Sequence, residues 1–279
     1  MRSLLTKLLL LPRIMFASIT SASAAVIYIP EGSLTFFGLM KTWILRRLLG
    51  SKLRVIGTQR RVLSSWQQRI VQMMDFGVLY AVSTAMVGDL RNLGIRAKVI
   101  NAGIEVGKFS PPCGVDVRLL RSKYGLPSEG QILLHVGHIK KSRNLRWLMD
   151  VSRNVPEACV VAVGSTATTT DEVLLSELRQ TGVIVIDDFV ADIQELYQVA
   201  TWYVFPVLDQ TGAMEVPLSV LEAMAVGLPI MTTRFGRLPE LFSEDEGFQY
   251  VSSSQELILL LQHGFGNGTL NREKVRQLS

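Results

Sequence analysis

The hydrophobic positions of this chain fall mostly into short runs, and longer segments with a helical pattern separate these runs. Most runs are nearly continuous rather than alternating, which is typical of strands covered on both faces, as in a parallel sheet. The runs predict strands at 25–29, 53–57, 77–82, 97–100, 131–136, 158–163, 182–186, 202–206 and 228–232.

The segments between these runs predict the helices of the fold. The predicted helices are 34–49, 83–93, 142–154, 171–180, 191–199, 217–226, 237–243 and 254–262. Strands and helices that alternate this often are typical of a doubly wound α/β fold. The sequence therefore predicts an α/β protein with parallel sheets.

Glycine and proline interrupt the alternating pattern near residues 101–112. Asn101 to Gly103 closes one set of elements, and Phe109 to Pro112 opens a linker. We therefore predict two domains, residues 1–108 and 109–279. The second domain holds at least five strand–helix repeats, whereas the first is shorter.

The N-terminal segment has two interpretations. Basic residues precede an apolar run from Leu8 to Ile19, and small residues follow at 21–25, which is the order of a secretory signal peptide. The alternative is a helix at about 3–20 that leads into the strand at 25–29. Pro12 interrupts the apolar run, and we favour the second interpretation, with the segment retained. No charge-free run is long enough to predict a membrane-spanning helix.

Composition and charge narrow the expected partners. The chain has 279 residues, 48% hydrophobic and 19% charged, as in ordinary globular proteins. The net charge is +5 and the pI about 9.3. Lysine and arginine are nevertheless spread along the chain, so no nucleic-acid partner is predicted. The two cysteines and three histidines lack metal-ligand spacing, and no metal site is predicted.

The stretch from Phe205 to Thr233 has the features of a ligand site. Gly212 lets the backbone approach a ligand closely, and Pro217 fits the first turn of a helix. The amides at the start of such a helix favour an anion. Glu222 lies one and a half turns further on, where its carboxylate can accept hydrogen bonds from ribose hydroxyls. An ordinary capped surface helix would show the same spacing.

The same stretch resembles the donor-binding signature of family 4 glycosyltransferases, which have the two-lobed GT-B fold. The family pattern is a glutamate, seven residues, a second glutamate and then Ala-Met-Ala-x-Gly-x-Pro. The segment from Glu222 to Pro229 matches the second half of this pattern. The first glutamate is expected at Met214, but in this chain it follows one residue later, at Glu215.

Three further stretches show the same resemblance in the expected order. Residues 133–141 resemble the family's strand, glycine and basic loop, with His138 where the family usually has an arginine. Residues 82–90, 99–105 and 109–111 resemble the last acceptor-lobe helix and the crossing into the donor lobe. Residues 182–190, followed by Glu195 to Tyr197, resemble the segment that holds the nucleotide base. The resemblance covers about residues 77–251.

The resemblance implies a GT-B-like α/β fold of two Rossmann-like, doubly wound parallel-sheet lobes, with an incomplete N-terminal lobe. It also implies a retaining glycosyltransferase that moves a sugar from a UDP- or GDP-linked donor to an unidentified acceptor, without a metal or other cofactor. The family's Gly-rich first strand–loop–helix is missing, and the loop at 57–61 lacks the histidine often found near the sugar. A catalytically impaired nucleotide-sugar-binding protein or partner subunit is therefore the alternative.

Motif positions imply a role for each candidate residue. Lys141 and Lys140 would hold the donor diphosphate, Glu215 the donor sugar and Glu222 the ribose. Glu215 and Lys141 are the candidate catalytic residues. The other expected donor contacts are Gly137, His138, Phe189, Val190, Val216, Pro217 and Leu218.

The predicted helix at 34–49 has the pattern of a membrane-surface helix. Its apolar stripe is formed by Phe36, Phe37, Met40, Trp43, Ile44 and Leu48. Lys41 and Arg47 lie off the stripe, and Arg46 lies near its edge. We favour packing of this stripe on the sheet of the first lobe. Contact with an anionic membrane and a lipid-linked or membrane-proximal acceptor is the alternative. A cytoplasmic location is expected, at the inner face of the membrane if that contact forms.

Overall fold

The computed structural model describes residues 25–30, 34–59, 62–165, 170–210 and 212–263. The chain divides into two compact units between Asn101 and Ala102. Each unit contains a parallel sheet whose strands are separated by helices, which confirms the predicted α/β class. The helix or signal peptide expected before residue 25 lies outside the described residues.

The division between the units precedes the domain boundary expected from the sequence at residues 108–109. Ala102, Ile104 and Val106 pack against the hydrophobic core of the second unit. The segment after Asn101 therefore belongs to the second unit, although its Gly and Pro content predicted a linker.

The first unit holds a sheet whose described strands pair in chain order, all parallel. Its elements are β1 Val26–Tyr28, α1 Phe36–Leu49, β2 Leu53–Gly57, α2 Ser65–Gln72, β3 Val78–Ala81, α3 Thr84–Asn92 and β4 Arg96–Val99. A parallel sheet in chain order is one half of a doubly wound sheet. Helix α2 was not predicted, because its eight residues are mostly polar and bury only Val71.

Helix α1 begins after Thr35, whose Oγ1 accepts a hydrogen bond from the amide of Gly38 at 3.1 Å. The helix buries Gly38, Leu39, Thr42 and Leu45. This packing face differs from the predicted apolar stripe. Of that stripe, Phe36 and Trp43 pack against the first-unit core, whereas Phe37, Ile44 and Leu48 are exposed.

The second unit holds a six-stranded parallel sheet in the order β10-β9-β8-β5-β6-β7. Its elements are α4 Val117–Lys123, β5 Gln131–Val136, α5 Arg146–Asn154, β6 Ala158–Val163, α6 Glu172–Gln180, β7 Ile184–Ile186, α7 Ile193–Val199, β8 Trp202–Phe205, α8 Leu218–Val226, β9 Ile230–Thr232, α9 Leu238–Leu241, β10 Phe248–Tyr250 and α10 Ser254–Gln262. A 3-10 turn, Lys141–Arg143, follows β5. Helix α4 and strand β10 were not predicted.

The strand order of the second unit reverses between β5 and β8, which are neighbours in the sheet but not in the chain. Read from its other edge, this is the order of a doubly wound dinucleotide-binding sheet, in which ligands bind beyond the carboxyl ends of the strands at the reversal. Strand β5 ends at Val136 and β8 at Phe205. The fold therefore places a ligand crevice beside the two loops that begin at Gly137 and Pro206.

Candidate functional site

The loops after β5 and β8 lie against each other and are joined by a hydrogen bond from a side chain to the backbone. Asn144 ends the 3-10 turn in the left-handed conformation, with φ 53°, and its Nδ2 donates to the carbonyl of Pro206 at 3.0 Å. A Cβ on Gly212 would lie 2.5 Å from the Ser142 carbonyl oxygen. Only glycine permits this approach, so Gly212 draws the second loop against the 3-10 turn.

A buried arginine, Arg143, stands at the end of this turn. Its side chain is 9% exposed, and the guanidinium carbon lies 5.8 Å from the centre of the Phe205 ring. Burial lowers the pKa of Arg143, but a guanidinium stays protonated in a protein. Within the described part of the chain, no carboxylate forms a salt bridge with it, and its buried Nε has no hydrogen-bond partner. A buried cation is costly without a counter-charge, so this position suits an anionic ligand.

The predicted cations occupy the same loop but are less buried. Lys140 is half-buried and precedes the 3-10 turn, and Lys141 is exposed at its first position. His138 is half-buried, and its pKa is lowered by burial and by the charges of Arg143 and Lys140. The sequence pattern indicated Lys140 and Lys141 but not Arg143. The available signal was a third basic residue two positions later.

Glu222 projects from α8 toward Tyr197 of α7. The Tyr197 hydroxyl donates to Glu222 Oε2 at 2.7 Å. Burial raises the pKa of Glu222, while the hydrogen bond from Tyr197 and the charge of Lys108 lower it. The Tyr197 ring packs edge-on against Phe109, with ring centres 5.7 Å apart. Glu222 therefore has a fixed orientation. Tyr197 lies in the stretch that resembles the base-holding segment, but its contact with Glu222 was not predicted.

Tyr203 of β8 lies close enough to both Arg143 and Glu222 to feel their charges. Its hydroxyl donates to the Val136 carbonyl at 3.3 Å and shares a hydrogen bond with the Ser219 side chain. Burial raises the pKa of Tyr203, and the charges of Glu222 and Arg143 act on it in opposite directions. The Arg143 guanidinium and the Glu222 carboxylate thus both lie near the buried Tyr203 hydroxyl, beside the strand reversal.

Glu215 is held by backbone contacts in the loop between β8 and α8. It is 6% exposed, and its carbonyl accepts a hydrogen bond from the amide of Arg237 at 2.8 Å. A Cβ on Gly236 would lie 2.3 Å from the Glu215 carbonyl oxygen. The 233–237 segment after β9 therefore fixes the position of Glu215 in the loop.

Helix α8 begins at Leu218, and Pro217 is its N-cap rather than its first helical residue. Pro217 was an expected donor contact, but proline has no amide hydrogen and cannot donate from its backbone to an anion at the helix start. The first amides of the helix belong to Leu218 and Ser219. Val216 and Pro217 are buried, whereas Leu218 is exposed.

The expected base-binding residues follow β7, which is separated from β5 by one strand. Phe189 is 78% exposed, and Val190 packs against the second-unit core. The structure places both at the carboxyl end of the sheet, but two strands away from Arg143. An exposed aromatic ring at this end of the sheet is available to stack on a planar ligand.

Comparison with known proteins identifies a family, a relative and solved structures that this chain is similar to. Residues 130–259 match the family described as glycosyl transferases group 1. A stretch of 176 residues is 29% identical to the sulfoquinovosyl transferase SQD2 of Arabidopsis thaliana. That match covers 60% of this chain but only 33% of the relative's length.

The similarity to solved structures covers nearly the whole chain. Sucrose-phosphate synthase from Thermosynechococcus elongatus has a TM-score of 0.73 at 16% identity, covering 99% of this chain and 75% of that chain. HepE from Anabaena, in complex with UDP-glucose, has a TM-score of 0.73 at 18% identity, covering 99% and 79%. The predicted GT-B-like fold is confirmed, and residues 130–259 of the second unit carry the match to the group 1 glycosyltransferase family.

Proposed function

We propose that the second unit binds a nucleoside diphosphate sugar and that the protein is a retaining glycosyltransferase acting on an unidentified acceptor. The observation that supports this most is Arg143, a buried guanidinium without a carboxylate partner among the described residues, at the strand reversal. A diphosphate supplies the missing negative charge, and its oxygens match the forked donors of arginine. Lys140, Lys141 and the first amides of α8 would add to this positive field.

Glu222 fits the ribose of such a ligand. Tyr197 holds Oε2, which leaves Oε1 to accept a hydrogen bond from a ribose hydroxyl. Glu215 and the loop around it would contact the donor sugar. In the transfer, the bond between the anomeric carbon and the diphosphate breaks, and the same carbon bonds to the oxygen of an acceptor hydroxyl. The hydroxyl proton passes to the leaving diphosphate. Arg143 would stabilise the charge that develops on the leaving diphosphate.

A UDP-linked donor is our first choice, and a GDP-linked donor is the alternative. The Anabaena HepE structures contain UDP-glucose or UDP, which favours a uridine nucleotide here. A ligand of the folded state raises stability by mass action, by about 2.7 kcal/mol at a concentration one hundred times its dissociation constant. Thermal unfolding with UDP, GDP, UMP and uridine should show the largest rise in Tm for UDP. Equal Tm values with all four compounds would contradict the proposal.

The proposed site neutralises the diphosphate with a guanidinium and amides rather than with a metal ion. We therefore expect the Tm rise with UDP, and the release of UDP from a UDP-sugar, to survive EDTA. Loss of UDP release in EDTA, restored by Mn²⁺, would show that the protein needs a metal.

The alternative is a binding protein or partner subunit without transferase activity. Such a protein would bind UDP with the same rise in Tm but release no UDP from any UDP-sugar. A donor-hydrolysis assay on the parent protein therefore separates the two functions.

We also propose that the first unit contacts an anionic membrane surface and that the acceptor is membrane-proximal. Phe37, Ile44 and Leu48 are exposed at helical spacing on α1, and Phe37 is 75% exposed. Phe36 joins this surface to the half-exposed Trp66 of α2, with ring centres 5.1 Å apart. Exposed aromatic and aliphatic side chains on adjacent helices favour insertion into the interfacial region of a bilayer.

The charge of the segment that contains α1 and α2 also favours contact with an anionic membrane. Residues 34–74 contain no Asp or Glu and include eight Lys or Arg residues. Each basic residue near an anionic bilayer adds about 1 kcal/mol of binding. None of the helices in the described ranges is long and apolar enough to cross a membrane.

Flotation with lipid vesicles tests this contact. At low salt we expect the protein to float with vesicles that contain phosphatidylserine and to stay at the bottom with phosphatidylcholine alone. The Phe37→Ser variant should lose flotation, whereas Leu259→Ser, at an exposed leucine of α10, should float like the parent. Protein that stays at the bottom with both vesicle types would exclude the membrane contact.

A further inference from the structure

A second buried polar side chain, His135 of β5, lies behind the Gly137 loop. It is 1% exposed, and its Nδ1 is 3.0 Å from the Val204 carbonyl of the neighbouring strand. A carbonyl oxygen can only accept, so Nδ1 carries the hydrogen. Burial lowers the pKa of His135 to about 4, so the ring is neutral near pH 7. Its Nε2 is therefore a bare acceptor.

This acceptor is unsatisfied in the described part of the chain, where the buried Nε2 has no hydrogen-bond partner. A buried polar atom without a partner is rare in folded proteins and marks a place where a ligand or water belongs. A Cβ on Gly137 would lie 3.1 Å from His135 Nε2 and 3.2 Å from Arg143 Nη1. The acceptor and the guanidinium donor thus border the same small space beside Gly137.

We propose that His135 positions Arg143, accepting a hydrogen bond from the guanidinium through Nε2, directly or through one water, when Arg143 holds the donor diphosphate. This inference rests on the proposed nucleotide-sugar site. Arginine has only donors, and Nε2 offers only an acceptor, so the two groups are complementary.

A neutral acceptor has an advantage at this position. A carboxylate in the place of His135 would orient the guanidinium equally well, but it would cancel the charge that the diphosphate needs. A neutral imidazole orients Arg143 and leaves its full charge for the ligand. Gly137 keeps the space between the two groups open, since any side chain there would contact both nitrogens.

Two variants of His135 distinguish a role in orienting Arg143 from a role in packing the core. In His135→Asn, the side-chain amide replaces Nδ1 and keeps the bond to Val204, but nothing replaces Nε2. In His135→Gln, the longer side chain can bring its carbonyl oxygen to the Nε2 position. We expect the Asn variant to bind UDP about tenfold more weakly than the parent, which is the effect of one hydrogen bond to a charged group. The Gln variant should recover most of that loss, and uridine should bind all three proteins equally in calorimetry.

Coupling to Arg143 gives the decisive control. In an Arg143→Met background, His135→Asn should change UDP binding no further, because the partner of Nε2 is gone. The inference is overturned if His135→Asn binds UDP like the parent, or if it loses UDP and uridine binding to the same extent. A parent protein that binds neither UDP nor GDP would instead overturn the proposed function, and the positioning role with it.

Nitrogen NMR of the parent protein tests the inference without a variant. The Nε2 resonance of His135 is expected to move upfield on addition of UDP, because a bare imidazole nitrogen shifts upfield when it accepts a hydrogen bond. Uridine, which has no phosphate to draw Arg143 into place, should leave the resonance unchanged. A resonance that UDP does not move would contradict the positioning role even if the variants fail to fold.

Discussion

Replacement of Arg143 by methionine should weaken UDP binding and slow UDP release from the donor by about 10²–10³-fold, a loss typical of removing one preorganised charge-stabilising donor. The guanidinium is the one group at the strand reversal that combines burial with a full positive charge and no salt bridge among the described residues. Methionine keeps much of its volume but offers no donor. Calorimetry with UDP and uridine should show a large loss for UDP and little change for uridine.

The same substitution should not destabilise the unliganded protein. Burial of an unpaired charge costs free energy, so its removal should leave the Tm unchanged or raise it. Arg118→Met is the matched control, because Arg118 on α4 is exposed and forms a salt bridge with Glu129 at 3.2 Å. A variant that binds UDP like the parent, or that unfolds without ligand, would contradict the role given to Arg143.

Replacement of Glu222 by glutamine should weaken both UDP and uridine binding. A hydrogen bond to a charged group contributes about 1.5–3 kcal/mol, which corresponds to roughly 10- to 150-fold in affinity. Uridine contains the ribose, so its affinity should fall together with that of UDP, unlike in the Arg143 variant. Calorimetry with both ligands distinguishes the two residues.

Tyr197→Phe is the control for Glu222. It removes the hydroxyl that holds Oε2 at 2.7 Å but leaves the carboxylate in place. We expect a smaller loss of affinity for both ligands than in Glu222→Gln. Unchanged uridine binding in Glu222→Gln, with circular dichroism showing an intact fold, would exclude the ribose contact.

The sequence predicted the sheet of the second unit well because its strands are buried on both faces. Strands β5, β6 and β8 consist of nearly continuous apolar residues, and the prediction placed them within one residue of their observed ends. Strand β10 was not predicted because it has only three residues, with a glutamine in the middle. Helix α4 was not predicted because it is short. Its start depends on Asp116, whose side chain accepts hydrogen bonds from two backbone amides.

The candidate site was harder to predict, because tertiary contacts decide which of its charged side chains are buried and which of them meet. Three basic residues stand within positions 140–143, and their sequence does not show which one is buried. The left-handed Asn144, held by the Pro206 carbonyl of the next loop, ends the turn that buries Arg143. Tyr197 and Glu222 are 25 residues apart and meet only because α7 and α8 pack together.

The contact between Gly236 and Glu215 has a consequence for redesign of the site. The loop before α8 and the segment after β9 fit each other through main-chain atoms, with Gly236 at φ 53° against the Glu215 carbonyl. The amide of Arg237 bonds to the same carbonyl, and the Gln210 side chain accepts from the amide of Gly236 at 2.9 Å. Grafting of a donor loop from another transferase into this chain should therefore succeed only when residues 207–217 and 233–237 are exchanged as a pair.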